Sequence, residues 1–195
     1  MSDRGNGWKI ELLDTLTRNP WFGVLLQRVT QPDGSTSPYY TIDFPNRAVG
    51  VVVRRGDEFL FIRQYRFIVD EQVWAIPSGG TEKGESPADA AAREMEEETG
   101  YRPSKPLEHV LGYYPSYGCG NQRFELFLAE DPVRVGEMPD PREVISTRWF
   151  DRKEVLAMIQ RNEIVDGLSL TPLLLLLVRD ALSGPSTRNG QDPPL

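Results

Sequence analysis

Residues 79–101 read GGTEKGESPADAAAREMEEETGY, and this stretch decides how the rest of the chain is read. Ser86 suits a helix N-cap, Pro87 the first helical position, Asp89 the acidic place three residues after the cap, and Gly100 the stop. Together they predict a helix between Ser86 and Gly100. That helix carries Glu94, Glu96, Glu97 and Glu98 toward its C-terminal end, where the helix dipole disfavours negative charge. Like charges three and four positions apart repel by roughly 0.2 to 0.5 kcal/mol per pair. Something must offset that repulsion.

At 100° per residue, Ala88, Ala91, Ala92, Met95 and Thr99 share one arc, small and apolar, suited to packing on a sheet. Glu94, Glu97 and Glu98 share another, and Glu96 stands apart toward solvent. Most charge runs are solvated faces. Here the acids stand at the unfavourable end of the dipole and follow a glycine-rich loop, Gly79 to Gly84, with Glu85 before the helix and Arg93 beside Glu94. A divalent cation answers the repulsion. Carboxylates with carbonyl and water oxygens suit Mg2+, Mn2+ or Ca2+, whereas one His and one Cys are too few for a zinc site. The alternating acids and central glycine of an EF-hand loop are missing.

The whole chain sets further bounds. Its 195 residues, 39% of them hydrophobic, suit one globular domain. A net charge of -7 with no long basic run argues against a nucleic-acid partner. Cys119 is the single cysteine, so no intrachain disulfide forms. The first residues show no signal-peptide pattern, and a cytoplasmic location is expected. The apolar run Leu173 to Val178 is far short of the roughly 20 residues that span a bilayer and reads as a buried helical turn. No membrane association is expected.

Outward from the helix, Trp21 to Gln64 reads as successive antiparallel strands and turns, with another short extended piece at Trp74 to Pro77. PLEHVLGYYPS and QRFELFLAE read as strands joined by a loop from Pro115 to Asn121, TRWF as a further strand, and DRKEVLAMIQRN and Ser169 to Leu182 as helices. The expected organisation is an N-terminal strand region over 1–45, a core over 46–182 and a flexible Pro- and Gly-rich tail over 183–195.

The spacing of Gly79, Glu85, Arg93-Glu94-Met95, Glu97-Glu98 and Gly100-Tyr101 resembles the Nudix box of the Nudix hydrolases. Only Tyr101, where an aliphatic residue is usual, is off type. FIRQYR and WAIPSGG before the box, and YYPSYG after it, extend the likeness over Trp21 to Leu182. The resemblance implies an α/β class of fold, a Nudix-type α/β/α sandwich with a mixed central sheet plus the N-terminal antiparallel strand region. It also implies hydrolysis, with Mg2+ or Mn2+, of the pyrophosphate in a nucleoside diphosphate joined to another group. By position Glu94 and Glu98 match the main metal ligands and Glu97 a further one. The carbonyl of Ser78 or Gly79 is the expected backbone ligand, and Arg93 and Glu85 match the residues that brace the cluster.

Around the box, Pro115 and the RQYR run, Arg63 to Arg66, resemble the branch that cleaves ADP-ribose to AMP and ribose 5-phosphate. Arg63, Arg66, Pro115, Ser116, Gln122 and Trp21 are the expected substrate contacts. Pro115 equally suits a strand-ending turn, and Arg66 a surface ion pair. Ala75 and Gln122, where that branch tends to carry glutamates, keep an NDP-sugar such as GDP-mannose open as the substrate. A nucleotide sensor that does not cleave its ligand is the competing reading from another class. For the catalytic base, found on a late loop in such enzymes, Glu143 is the first expectation and Glu137 the second. In related pyrophosphatases an N-terminal strand region of this kind pairs two subunits and contributes an aromatic ring that stacks the base, which makes a homodimer the expectation here.

Overall fold

The computed structural model describes residues 2–3, 5–136 and 143–183. The second candidate base, Glu137, and the tail from 184 onward lie outside them. Among the described residues the strands, in chain order, are β1 Ser2–Asp3, β2 Lys9–Arg18, β3 Gly23–Thr30, β4 Thr36–Asp43, β5 Ala48–Arg55, β6 Glu58–Arg66, β7 Glu71–Ala75 and β8 Ser78–Gly80, followed by β9 Tyr101–Arg102, β10 Glu108–Tyr113, β11 Phe124–Glu130, β12 Val133–Arg134 and β13 Ser146–Asp151. The helices are α1 Pro87–Thr99, α2 Arg152–Gln160 and α3 Gly167–Ser183.

The strands form two main sheets. β1 to β4 make an antiparallel sheet at the N-terminus, in chain order. The central sheet runs β10-β11-β5-β6-β13, with β7 paired to β6 and β8 to β5. It is mixed, because β11 pairs with β5 in parallel while the other pairings are antiparallel. β9 and β12 form a small separate ladder.

Alternation along β5 explains the layers. Successive side chains of a strand point to opposite faces. Val49, Val51 and Val53 therefore pack with Ala90, Ala91 and Met95 of α1. Val52 packs on the other side, in a cluster with Val155 and Met158 of α2 and Leu173, Leu176 and Leu177 of α3. An apolar central strand with helices on both faces is an α/β/α sandwich. The run from Leu173 is only partly inside: Leu173 and Leu176 are buried, while Leu174 and Val178 are exposed.

α1 begins and ends as its sequence requires. The Ser86 hydroxyl oxygen accepts from the Asp89 N–H, and Gly100 takes a left-handed φ of 71° while donating to Glu96 O. Its packing face is rotated from the expected arc. Ala90, Ala91, Met95, Glu98 and Thr99 are buried, whereas Ala88 is exposed and Ala92 only partly covered. The close approach of β8 and β5 over the helix selects this arc, and it draws a carboxylate inward.

Candidate active site

β8 pairs with β5 through Val49↔Gly79 and Gly50↔Ser78, so the residues first read as a glycine loop begin as a strand. This fixes the backbone at Ser78, whose N–H donates to Oε2 of Glu98 at 2.7 Å. A Cβ on Gly79 would overlap the Glu94 carboxylate. Glycine is the residue that lets the acidic helix lie this close to the strand.

Arg93 organises the outer part of the cluster. Its Nε and Nη2 donate to Glu85 Oε1 and Oε2 at 3.0 and 3.1 Å. Nη2 also reaches Gly80 O at 3.0 Å, and Nη1 reaches Glu94 Oε1 at 2.9 Å and Glu97 Oε2 at 3.0 Å. One guanidinium thus braces three carboxylates and a carbonyl, a use for which its rigid fork of donors is suited.

The inner part is a cavity of about 420 Å³ between the β6–β7 hairpin and α1. Arg66, Ser78, Glu94, Glu98 and Glu143 line it, together with Gln64, Tyr65, Phe67 and Ile68. Glu98 is only 7% exposed. Burial pushes its carboxyl up to about 8; the Ser78 N–H and Arg66 oppose the shift, while Glu94 and Glu143 add to it. Burial also raises Glu94, against the pull of Arg93. Glu85 goes the other way, lowered by its hydrogen bonds with Arg93. Carboxylates that resist ionisation beside one another are what a bound cation would relieve.

The donor set fits a hard divalent cation. Glu94, Glu98 and Glu143 offer oxygen alone, and no thiol or imidazole lines the cavity. As the side chains stand, no three His, Cys, Asp or Glu among the described residues are grouped in ligating positions. Glu94 and Glu97 pair with Arg93, and Glu98 accepts from the Ser78 N–H.

The structure gathers some of the expected residues and disperses others. Arg66, Ser78, Glu94, Glu98 and Glu143 share the cavity, and Arg93, Glu85 and Glu97 join it through ion pairs. Arg63 is not among the lining residues. Its guanidinium lies 5.5 Å over the Trp74 ring, and its Nε is buried with no hydrogen-bond partner. Pro115 and Ser116 stand exposed in a turn in which Ser116 Oγ lies 3.0 Å from Cys119 Sγ. Gln122 is half-buried in the link before β11, and Trp21 is 75% exposed beside the N-terminal sheet. Gln64 and Tyr65 of the same run also line the cavity, and the period of two along β6 puts Gln64 on the same side as Arg66.

Comparison with known proteins bears on the fold and the family. The family model of the NUDIX domain matches residues 44–168. The chain is 32% identical over 149 residues to a CMP-5'-(N-acetyl-N-hydroxy-3-aminopropyl)phosphonate hydrolase of Streptomyces rubellomurinus, covering 76% of this chain and 72% of that protein. It is 27% identical over 159 residues to an ADP-ribose pyrophosphatase of Bacillus subtilis, covering 80% and 85%. The fold superposes on a crystal structure of an ADP compounds hydrolase with a TM-score of 0.78 at 18% identity, over 90% of this chain and 96% of the other. The match spans both the box and the sheet that carries the cavity, and the chain belongs to the Nudix family as one of its pyrophosphohydrolases.

Proposed function

We propose that the cavity hydrolyses the pyrophosphate bond of a nucleoside diphosphate joined to a second group, in a reaction dependent on Mg2+ or Mn2+, with ADP-ribose going to AMP and ribose 5-phosphate as the first substrate to test. The observation that carries this reading is the convergence of Glu94, Glu98, Glu143 and Arg66 on one cavity beside the backbone of Ser78. Three acids from α1 and from the segment before β13 meet a cation from β6. A surface ion-pair network has no need of that convergence.

In this reading Glu94 and Glu98 would hold the cation, with Glu97 and the backbone at Ser78 or Gly79 as further ligands. A bound divalent ion offsets phosphate charge and makes an attached water a stronger acid. Arg93, anchored by Glu85, keeps Glu94 and Glu97 in place. Arg66 meets the phosphates, and Glu143, exposed and not held by the Arg93 network, accepts the proton of the attacking water. Glu98, 7% exposed with the Ser78 N–H as its hydrogen-bond donor, supports this role: a cation bound there would match a carboxylate charge that burial disfavours.

Two chains pairing through the N-terminal sheet would account for Trp8, Leu12, Leu16, Tyr39 and Tyr40, exposed large apolar residues on β2, β4 and the approach to β2. Such a homodimer would also give Trp21 a base to stack on. The sedimentation coefficient of the purified protein tests this, and a monomer at micromolar concentration would end it.

The relatives differ in base and in distal group, so the substrate is settled by assay. Purified protein with Mg2+ or Mn2+ is given ADP-ribose, GDP-mannose, UDP-glucose and a CMP-phosphonate ester, and the products are separated. Cleavage of ADP-ribose that disappears in Glu98→Gln supports the proposal. Preferred cleavage of GDP-mannose moves the substrate to an NDP-sugar. Tight binding with no cleavage of any of them would refute it.

A further inference from the structure

The cavity has two chemically opposite sides. One carries the acids and Arg66, suited to a diphosphate and its cation. The other is the turn of the β6–β7 hairpin, from which Tyr65, Phe67 and Ile68 line the same space. Phe67 is 78% exposed and Ile68 84%, and Val69 follows them, also exposed. A single exposed apolar side chain is ordinary. Three in succession at a turn, where Gly, Asn, Asp and Ser prevail, are not.

The turn does not need these side chains for its shape. Val69 N–H donates to Arg66 O at 3.1 Å, Asp70 takes a φ of 56°, and the Tyr65 hydroxyl donates to Asp70 Oδ1 at 2.7 Å. Neither Phe67 nor Ile68 joins a buried cluster of the core. Their surface is therefore open toward whatever enters the cavity, and an occupant of the cavity touches both this lip and the acidic side. On the hydrolytic reading above, that occupant is the substrate.

We propose that the Phe67–Ile68 lip binds the group attached beyond the scissile linkage, and that the enzyme also hydrolyses nucleoside diphosphates whose distal group is an aliphatic chain rather than a sugar. The proposal rests on the hydrolytic reading above. In the reaction the oxygen of water bonds to one phosphorus and the bridging P–O bond breaks. An alkyl ester of ADP gives AMP and an alkyl monophosphate. One proton of the water stays on a product phosphate, and the other passes through a carboxylate of the cavity to solvent. No oxidant or second substrate is needed.

Burying a methylene is worth a factor of about four in a binding or rate constant, and a lip that covers one side of the chain should return about twofold to fourfold. The test is a series of adenosine diphosphate alkyl esters, methyl, propyl and hexyl, compared with ADP-ribose. We expect kcat/KM to rise with each methylene by that factor until the chain outruns the lip. Phe67→Ser/Ile68→Ser should flatten the series and lower the hexyl-to-ADP-ribose ratio at least tenfold. Affinity for a methylene-bridged hexyl analogue, measured by calorimetry, should fall in parallel. The single variant Ile68→Ser, with a smaller effect in the same direction, guards against misfolding of the double variant.

A flat series in the wild type overturns the proposal, as does a slope that survives in the double variant. So does a double variant whose sedimentation changes while its ratio does not, because the lip would then be a contact between chains. If ADP-ribose is cleaved in a Glu98-dependent way and the series is flat, only the lip is wrong. If the wild type cleaves neither these compounds nor any of the nucleotides assayed above, the hydrolytic reading itself has failed; if it cleaves only another nucleotide, the same alkyl series on that nucleotide decides the lip.

Discussion

Glu98 and Glu125 are almost equally shielded from solvent, 7% and 5% exposed, yet their carboxyls are shifted in opposite directions. Burial pushes both upward. Glu125, on β11, receives Arg123 Nε at 2.7 Å and Arg47 Nη1 at 2.9 Å and lies 2.9 Å from His109 Nε2, and these partners hold it below the usual carboxylate range. Glu98 has one backbone N–H, with Glu94 and Glu143 as neighbours in its cavity, and is raised to about 8. Each site also requires a glycine, since a Cβ on Gly112 would collide with Glu125 as one on Gly79 would with Glu94. Solvent exposure alone therefore does not tell a structural carboxylate from a functional one; how deeply the protein surrounds it and which partners it meets there do.

The comparison breaks most visibly in activity. Glu98→Gln should lower kcat/KM by about a thousandfold, on the order of 4 kcal/mol of transition-state stabilisation, with the fold intact by circular dichroism. Glu125→Gln should leave turnover of the folded enzyme within a few-fold. Equal losses in the two variants would erase the distinction.

Stability without divalent cations should depend on pH with opposite signs. Glu98 is raised in the folded state, so from about pH 4.5 to about 8 the unfolded chain is ionised there while the folded one keeps its proton. The unfolded state binds fewer protons, and stability falls as pH rises through this window, by on the order of a few kcal/mol. Glu98→Gln should remove that fall, and saturating Mg2+ should reduce it with release of a proton. Glu125 is lowered, so its contribution is present above its unfolded pKa and is lost as pH falls through the folded one. Urea midpoints of both variants from pH 3 to 9 measure this. A Glu98→Gln profile parallel to the wild type would contradict the raised carboxyl.

At pH 7 Glu125→Gln should cost about 2 kcal/mol, less than a fully buried pair, because Arg47 and His109 remain half exposed and keep water as a partner. The smallest contrast lies in the glycines. Gly79→Ala should cost about tenfold in kcat/KM, because Glu94 must move. Gly112→Ala should cost about 1 kcal/mol of stability with kcat/KM nearly unchanged, because Glu125 and Arg123 must shift together. Exchange of these two outcomes would reverse the assignment of the sites.

Much of this was legible before folding. The limits of α1 follow from Ser86, Pro87 and Gly100, which act within one turn of themselves, and the outward place of Glu96 follows from helical period alone. The box acids were readable as a group for the same reason. Glu143 and Arg66 follow from the likeness to the family, through its late-loop base and its RQYR run. The scattering of Arg63, Pro115, Ser116, Gln122 and Trp21 was not readable, because it depends on the face each strand residue takes and on how the N-terminal sheet sits beside the core.

What the chain by itself determined is therefore the helix, its acids and the chemistry they suit, since caps and periodicity are local properties. Tertiary structure alone decided that Glu98 and not Glu97 is buried, that Arg66 and Glu143 share its cavity, and that an apolar hairpin faces them. Those facts depend on the pairing of β8 with β5 and of β6 with β7 and β13. The physical reason is range: a hydrogen bond within one turn is set by neighbours in sequence, whereas the environment that shifts a carboxyl is assembled from strands far apart along the chain.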